Sequence, residues 1–300
     1  MDQLPLSRQP HGVLVVDKPA GKSSAATVEH VKRALGVERA GHGGTLDPLA
    51  TGVLPICLNA ATKLAGYLLA DDKAYEAEGI LGIETDTLDR TGRVLGTTEV
   101  AVTEAALRAA LAGRSGEQEQ VPPMFSAIKQ GGVRLYHRAR AGEDVERAPR
   151  KIRIDRLELL AFEPPRFRIA IACSKGTYVR SIVADVGSDL GCGAHLAELR
   201  RTRSGRFAIE QAIAFDKLVG LDLDAHLIPL GRATDLPTVV APDDYLVTIR
   251  SGVQLETQAF PGELPAQFQL VDTTHRLVAI AHPDRGRLVY DRVFPADATS

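Results

Sequence analysis

Residues 41–52 read GHGGTLDPLATG, and the apolar run VLPICL follows at 53–58. The glycines permit close approach of the backbone, and Pro48 fixes the chain directly after Asp47. The loop collects these polar side chains: His42, Thr45, Asp47 and Thr51. Loops held between rigid elements are frequent carriers of chemistry. From these residues alone two interpretations of Asp47 stay open, a carboxylate that caps the turn at Pro48 and a functional group.

Strand and helix patterns alternate on both sides of this loop. Strands are predicted at 12–16, 73–82, 151–163 and 166–174, and a hairpin at 194–210. Helices are predicted at 25–36, 60–70 and 103–113 and after the KGTYVRS segment at 175–181, with Ser23 or Ser24 capping the first helix and Thr103 the third. Residues 122–150 are rich in Pro, Gly and Arg and only weakly periodic, which predicts a long functional loop or lid.

The character of the sequence changes near residue 240. Short β-like runs follow, separated by Gly, Pro and Asp turns: 245–255, 267–271, 276–282 and 288–294. We therefore predict two domains, residues 1–240 and a small all-β domain at 241–300.

Charge is distributed unevenly along a chain whose net charge is only −2. Residues 134–206 carry 16 Lys and Arg against 9 Asp and Glu, a net charge of +7, whereas residues 1–133 and 207–300 are net acidic. A local positive field indicates a polyanionic partner for one face, but charges paired across the fold explain it equally well.

Several classes of protein are disfavoured. Gly21-Lys22-Ser23 lacks the earlier glycine of a phosphate-binding loop, and the acidic cluster Glu84, Asp86 and Asp89 has the character of a solvated turn. The three cysteines form no Cys-x-x-Cys pair, and no metal-binding histidine pair occurs, so no metal is expected. The N-terminus has no apolar signal core, and no apolar run is long enough to span a membrane. A cytoplasmic protein that does not enter the membrane is predicted.

Blocks of the chain, in order, resemble the TruB family of bacterial pseudouridine synthases, which act on the uridine at position 55 of tRNA. The blocks are GVLVVDKPAGKSS, GHGGTLDPLATGVLPICLNAATKLAGYL, KAYEAEGILG, PPMFSAIKQGGVRLYHRARAG, CSKGTYVRSI and HLAELRRTRSGRF, and they cover roughly residues 11–210. The resemblance implies an α+β fold, with a mixed, mainly antiparallel sheet flanked by helices and a C-terminal PUA-like domain. The isomerisation neither adds nor removes atoms, so the resemblance implies no cofactor.

The resemblance also implies roles for individual residues. Asp47 corresponds to the family's essential aspartate, and Arg180 to the arginine that pairs with it. Tyr75 corresponds to the tyrosine that stacks on the target base and serves as a base for proton removal. Tyr178 and Leu199 correspond to walls of the uracil pocket, and His42 to a residue near the extruded nucleotides. The residues leave open whether Asp47 attacks C1′ or C6 of the uridine or assists loss of the 2′ proton.

Basic residues complete the substrate-binding set that the resemblance implies. The set contains Lys18, Lys63, Lys129, Arg138 and Arg140, with Arg134, His137, Arg200, Arg201 and Arg203 as further contacts to phosphates of the tRNA T arm. A monomer is expected. The alternatives are a non-catalytic RNA-binding or tRNA-folding protein, a hydrolase, and a pseudouridine synthase for another RNA; the hydrolase lacks a clear second carboxylate.

Overall fold

The computed structural model describes residues 9–126, 128–143 and 145–296. The helices are α1 (Ser24–Leu35), α2 (Ala65–Ala70), α3 (Glu104–Ala112), α4 (Leu135–Arg140), α5 (Val179–Asp189) and α6 (Leu246–Arg250). Within the described part of the chain, none of them is long and apolar enough to cross a membrane. All three cysteines are buried free thiols, and burial raises the pKa of Cys57 to about 12.

Strands account for most of the remaining regular structure. Up to residue 134 they are β1 (Gly12–Lys18), β2 (Ala40–His42), β3 (Thr51–Leu58), β4 (Lys73–Leu81), β5 (Ile83–Thr85), β6 (Val94–Thr97), β7 (Gly116–Gln120), β8 (Lys129–Gln130) and β9 (Val133–Arg134). Beyond it they are β10 (Arg150–Glu163), β11 (Arg166–Cys173), β12 (Ala194–Ser204), β13 (Phe207–Ala208), β14 (Ile213–Ala214), β15 (Ile228–Pro229), β16 (Thr238–Val240), β17 (Phe268–Val271), β18 (Leu277–Asp284) and β19 (Arg287–Val293).

Contacts divide the chain into two units, of which the first contains residues 9–48, 52–70 and 206–296 of the described chain. At its centre β1 runs antiparallel to β3, with Gly12 opposite Leu58 and Lys18 opposite Gly52. β14 joins β1 in parallel, and β2 pairs with β3. Helix α1 begins where the Ser23 side chain accepts from the Ala26 amide and ends at Gly36, whose φ is 63°.

The same unit contains a second sheet, in the order β16-β17-β18-β19. Its inner face shares one hydrophobic core with β1 and β3, which includes Val13, Val53, Val271, Ile280 and Phe294. Contacts thus group residues 206–296 with the N-terminal segment, and the boundary predicted at residue 240 stays a prediction.

The β-like run predicted at 245–255 is wrong. A 3-10 turn at Asp243–Tyr245 leads directly into α6. Ile249 enters the core of the second sheet, whereas Val247 is 75% exposed. The β-branched residues favoured a strand, but burying one side chain per helical turn against the sheet outweighs that weak preference.

Asp272 stabilises the turn between β17 and β18. Its side chain is 2% exposed, accepts hydrogen bonds from Thr274 and from the Arg276 amide, and pairs with the Arg276 guanidinium at 2.8 Å. Burial alone would raise the pKa of Asp272, but these hydrogen bonds outweigh it and lower the pKa to about 2. The charged form is therefore the one that the fold stabilises.

We expect Asp272→Asn to lower the free energy of unfolding by about 2 kcal/mol at pH 7. The asparagine NH₂ group would face the N–H and O–H donors of Thr274 and Arg276, which now bond to the carboxylate. A carboxyl with a depressed pKa contributes its stability above the ordinary Asp pKa of about 4 and loses it as the pH falls through about 2. The difference between wild type and variant should therefore narrow over that interval in urea titrations. Asp284→Asn, at an exposed turn, is the control; an equal loss there, or a pH-independent gap, would contradict the assignment.

The second unit contains residues 49–51 and the described part of 71–205. Its sheet has the order β12-β4-β11-β10-β7, and every neighbouring pair is antiparallel. Helix α5 packs on β12, and α3 packs on β10. Gly79 in β4 leaves room for Phe167 of β11 and Val183 of α5, because a Cβ there would lie 2.4 Å from the Phe167 ring and 3.0 Å from the Val183 side chain. The predicted α+β class with a mainly antiparallel sheet is confirmed.

The 122–150 segment is more regular than the loop or lid predicted. β8 and β9 form a hairpin closed by Gly131 and Gly132, both with positive φ, and α4 follows directly. Two glycines between short strands are typical of a two-residue hairpin turn. The sequence contained this signal, but strands of two residues are too short to show a period.

Candidate active site

Asp47 lies half-buried in a turn whose backbone is fixed on both sides. On one side the buried Ser24 hydroxyl accepts from the Leu46 amide at 2.8 Å and donates to the Leu46 carbonyl at 3.0 Å. On the other side the Pro48 carbonyl accepts from the Gly21 amide at 2.8 Å. The carboxylate is thus presented by a segment with little freedom to move.

Lys18 provides the second anchor of this turn. Its side chain is completely buried, and Nζ donates to the carbonyls of Lys22 at 2.6 Å, Pro19 at 2.8 Å and Pro48 at 3.3 Å. One buried ammonium therefore joins the end of β1, the turn before α1 and the residue after Asp47. This arrangement supports a positioning role for Lys18. The substrate contact that the resemblance implied for it is wrong, because the side chain has no exposed surface.

Two other predicted residues lie in the same unit. His42 ends β2, opposite Ile56 of β3, five residues before Asp47. Lys63 is exposed; its ammonium donates to the Val293 carbonyl at 2.6 Å and lies 5.5 Å from the centre of the Phe294 ring. Lys63 is therefore tied to the end of β19, and its role in binding substrate stays a prediction.

Arg180 is a buried site residue of the second unit. It lies in the first turn of α5 with its side chain 3% exposed. Nη1 donates to the Thr87 carbonyl and Nη2 to the Phe125 carbonyl, both at 2.8 Å, and Nη1 lies 3.7 Å from an Asp89 carboxylate oxygen. The guanidinium thus joins α5 to the turn after β5 and to the start of the 122–150 segment. Its pairing with Asp47, which belongs to the first unit, stays a prediction.

The interpretation of Asp89 as part of a solvated turn is wrong. Asp89 is 4% exposed, and its Oδ1 accepts from the Thr87 hydroxyl, the Thr91 amide and the Thr91 hydroxyl, while Oδ2 faces Arg180. The spacing Asp-x-Thr is typical of a carboxylate that folds back on its own turn. The acidic residues around Asp89 suggest a solvated turn. Its carboxylate is buried nevertheless, because a cation distant in sequence, Arg180, compensates its charge.

Tyr178 is held by Gln120, a residue that the sequence did not single out. The buried Gln120 amide accepts from the Tyr178 backbone N–H at 2.8 Å and donates to the Tyr178 carbonyl at 3.1 Å. Gln120 ends β7, so this double hydrogen bond fixes the start of α5 to the edge of the sheet. A lone Gln carries no pattern that predicts such a clamp.

Tyr75 and Leu199 share one face of the sheet. Tyr75 of β4 lies opposite Arg201 of β12, and Leu199 lies opposite Ala77, two residues further along β4. Alternation places Glu76, Glu78 and Arg200 on the other face. The predicted contact of Arg201 with phosphates is wrong, because its side chain is only 1% exposed.

Two family models match most of the chain. The model of the TruB family pseudouridylate synthase N-terminal domain matches residues 32–179, and that of the tRNA pseudouridylate synthase B C-terminal domain matches residues 180–248. The chain belongs to the TruB family. It is therefore a pseudouridine synthase, an isomerase, and the TruB family acts on tRNA.

Curated relatives cover most of the chain. The tRNA pseudouridine synthase B of Stutzerimonas stutzeri is 51% identical over 230 residues, which are 74% of this chain and 75% of the relative. That of Aromatoleum aromaticum is 51% identical over 245 residues, 82% of this chain and 76% of the relative.

Solved structures share the TruB fold. A chain of a Cbf5-Nop10-Gar1 complex superposes with a TM-score of 0.76 at 27% identity, over 99% of this chain and 92% of that chain. A chain of an H/ACA RNP bound to a substrate RNA containing 2′-deoxyuridine gives a TM-score of 0.72 at 26% identity, over 97% and 87% of the two chains.

Proposed function

We propose that this TruB-family chain converts the uridine at position 55, in the T loop of tRNA, into pseudouridine, with Asp47 as the catalytic carboxylate. The observation that carries the proposal is the Asp47 turn, whose backbone is anchored on both sides by Ser24, Gly21 and Lys18. Preorganised placement of a reactive group is what an enzyme requires and what a passive RNA binder does not. The names of the relatives support tRNA as the substrate.

The reaction needs few groups. The C1′–N1 bond breaks, the uracil turns, C5 bonds to C1′, the proton of C5 leaves and N1 gains a proton. Asp47 serves as nucleophile or as the group that stabilises positive charge at C1′. Because the target base is stacked within a folded loop, it has to be flipped out before it reacts. We assign Tyr75, Tyr178 and Leu199 to the walls that hold it.

The proposal also covers the domains, the oligomeric state, the location of the enzyme and its contacts with the T arm. We assign residues 1–240 to the catalytic domain and 241–300 to a PUA-like RNA-binding domain. The enzyme acts as a monomer in the cytoplasm. The basic residues of the 122–150 segment, together with His42 and Lys63, complete the binding of the T arm, whereas the buried Lys18 supports the Asp47 turn.

Nucleotide-resolution mapping tests the proposed substrate. A tRNA transcript is incubated with the protein, and pseudouridine is located by chemical modification followed by primer extension. We expect a single new stop that reports position 55. Product at another uridine would retain the chemistry and refute the T-loop target, and tight binding without product would favour the RNA-binding alternative.

The hairpin of β8 and β9 leads to a prediction about tRNA affinity. Lys129 is exposed on β8, and Arg138 on α4 donates to the Gln130 carbonyl at 3.4 Å and lies 3.7 Å from Glu143. We expect Lys129→Glu combined with Arg138→Glu to weaken tRNA binding and to reduce the slope of log Kd against log salt by about one to two units, because two phosphate contacts are lost. Filter binding between 50 and 200 mM salt, a range in which such contacts are strongly screened, measures both quantities.

A charge-matched variant is the control for this experiment. Arg108→Glu combined with Lys217→Glu makes the same change in net charge on α3 and in the turn at Phe215–Lys217. Its salt slope should equal that of the wild type. Equal slopes for both double variants and the wild type would show that the 122–150 segment does not grip the tRNA.

A further inference from the structure

Arg201 is the largest of the fully buried side chains among the described residues. It lies in the run Arg200-Arg201-Thr202-Arg203, whose alternating character indicated a basic face. The structure separates the members of that run, because Arg200 and Arg203 reach solvent and Arg201 does not. A buried guanidinium stays charged and is costly to bury, so its hydrogen-bond partner indicates its task.

The hydrogen-bond partners of Arg201 include the hydroxyl of Tyr75. The two residues are directly opposite on β12 and β4, in a part of the ladder with regular register from Leu199 to Arg201. The Arg201 side chain donates a hydrogen bond to the phenolic oxygen; burial lowers the pKa of Arg201, and the interaction with Tyr75 opposes that shift. Tyr75 itself is only half-buried. The hydroxyl is therefore held by a buried donor, whereas Tyr75 as a whole stays partly accessible.

A second cation lies close to this pair. Lys73, two residues before Tyr75 on the same face of β4, is 6% exposed and donates to the Asp71 carbonyl. Burial lowers the pKa of Lys73 to about 8, repulsion by Arg201 adds to this, and Asp71 and Asp72 oppose it. Two buried cations, Arg201 and Lys73, thus lie on the face of the sheet that carries Tyr75, and burial of the Arg201 donor strengthens its charge-assisted hydrogen bond.

We propose that Arg201 is a positioning residue of the isomerisation: its guanidinium holds the Tyr75 hydroxyl by a donated hydrogen bond, which fixes the ring and favours the phenolate that accepts the substrate proton. The inference rests on the role proposed for Tyr75. In that step the substrate C–H bond breaks, the proton passes to the phenolate oxygen, and the electron pair stays on the substrate. Arg201 keeps all its protons and never touches the RNA.

Arg201→Met tests the assignment, because it removes the donor and the charge while conserving much of the volume. We expect the single-turnover rate constant of pseudouridine formation in a tRNA transcript to fall about 10- to 100-fold, the range of a lost hydrogen bond to a charged group. The Kd for tRNA should not change, since Arg201 is shielded from solvent. The melting temperature should not fall much, because the partner left behind is a neutral hydroxyl on a half-buried residue rather than a buried carboxylate. Arg168→Met, an exposed arginine on β11, should react at the wild-type rate.

A double-mutant cycle with Tyr75→Phe separates positioning from a purely structural role. If Arg201 acts through the hydroxyl, Arg201→Met should cost nothing further once Tyr75 is phenylalanine. Arg201→Lys, which retains a cationic donor, should recover part of the rate, and it replaces Arg201→Met in the cycle if the methionine variant does not fold. If the double variant is slower by the product of the two single-variant losses, the inference is overturned.

The two proposals fail in distinguishable ways. A wild-type protein that forms no pseudouridine in tRNA would overturn the proposed function and the inference together. A wild-type rate in Arg201→Met, with Tyr75→Phe slow, would overturn the inference alone. A wild-type rate in Tyr75→Phe would also overturn it, since the hydroxyl would then have no part in the reaction.

Discussion

Asp47→Asn should reduce the rate of pseudouridine formation by about 10⁴-fold or more while leaving the Kd for tRNA within about twofold of wild type. The amide matches the carboxylate in shape but has no negative charge, so it neither attacks carbon nor stabilises positive charge at C1′. The turn itself should survive, because Ser24 and Lys18 hold the backbone of Leu46 and Pro48 rather than the side chain between them. Quench-flow measurement of product with excess enzyme gives the rate directly.

Asp224→Asn is the matched control, since it makes the same chemical change at an exposed position. It should react at the wild-type rate. Activity of Asp47→Asn within tenfold of wild type would contradict the assignment of Asp47. Loss of tRNA binding in parallel with activity would show that the carboxylate serves binding instead of chemistry.

Arg180→Met should lower the free energy of unfolding by about 3 to 5 kcal/mol, the cost of leaving a buried charge without its partner. The guanidinium lies between Asp89 and two backbone carbonyls, those of Thr87 and Phe125, in surroundings from which water is excluded. Methionine fills the space but offers no donor, so the carboxylate and both carbonyls lose a partner. Pseudouridine formation should fall as well, because Phe125 and the start of α5 are no longer fixed. Urea denaturation followed by circular dichroism measures the stability.

The companion variant Asp89→Asn identifies the source of this loss. In its background Arg180→Met should cost markedly less, because the anion that needed compensation is absent. Asp86→Asn, on the same turn but partly exposed, should change stability by less than about 0.5 kcal/mol. Additive losses for Arg180→Met and Asp89→Asn would show that the two side chains do not act as a pair.

Capping residues, glycine stops and alternation predicted the helices and strands that are determined by residues close in sequence. The cap at Ser23 and the stop at Gly36 define α1, and Thr103, which accepts from the Ala106 amide, begins α3 as expected. Alternation predicted β4 and β11, since each presents one face to a helix-covered core. These features depend on neighbours within a few residues and so are visible in the sequence.

The sequence did not predict which charged residues are buried. The neighbours of Asp89 indicate a solvated turn, and the arginine run around Arg201 indicates a basic face that contacts phosphates. Both side chains are instead buried against partners distant in sequence, Arg180 and Tyr75. The helix at α6 was missed for a related reason, because only its packing against the second sheet selects it. In each case the structure is decided by tertiary interactions between residues distant in sequence, which periodicity and composition do not reveal.

Release of tritium from C5 of uridine tests the central claim most directly. When C5 of the target uridine bonds to C1′, its hydrogen leaves to water, so a tRNA transcript tritiated at C5 reports each isomerisation. We predict one equivalent of tritium per tRNA with the wild-type protein, and none with Asp47→Asn or with a transcript that carries cytidine at position 55. Tritium released at the wild-type rate by Asp47→Asn, or from the cytidine-55 transcript, would contradict the account.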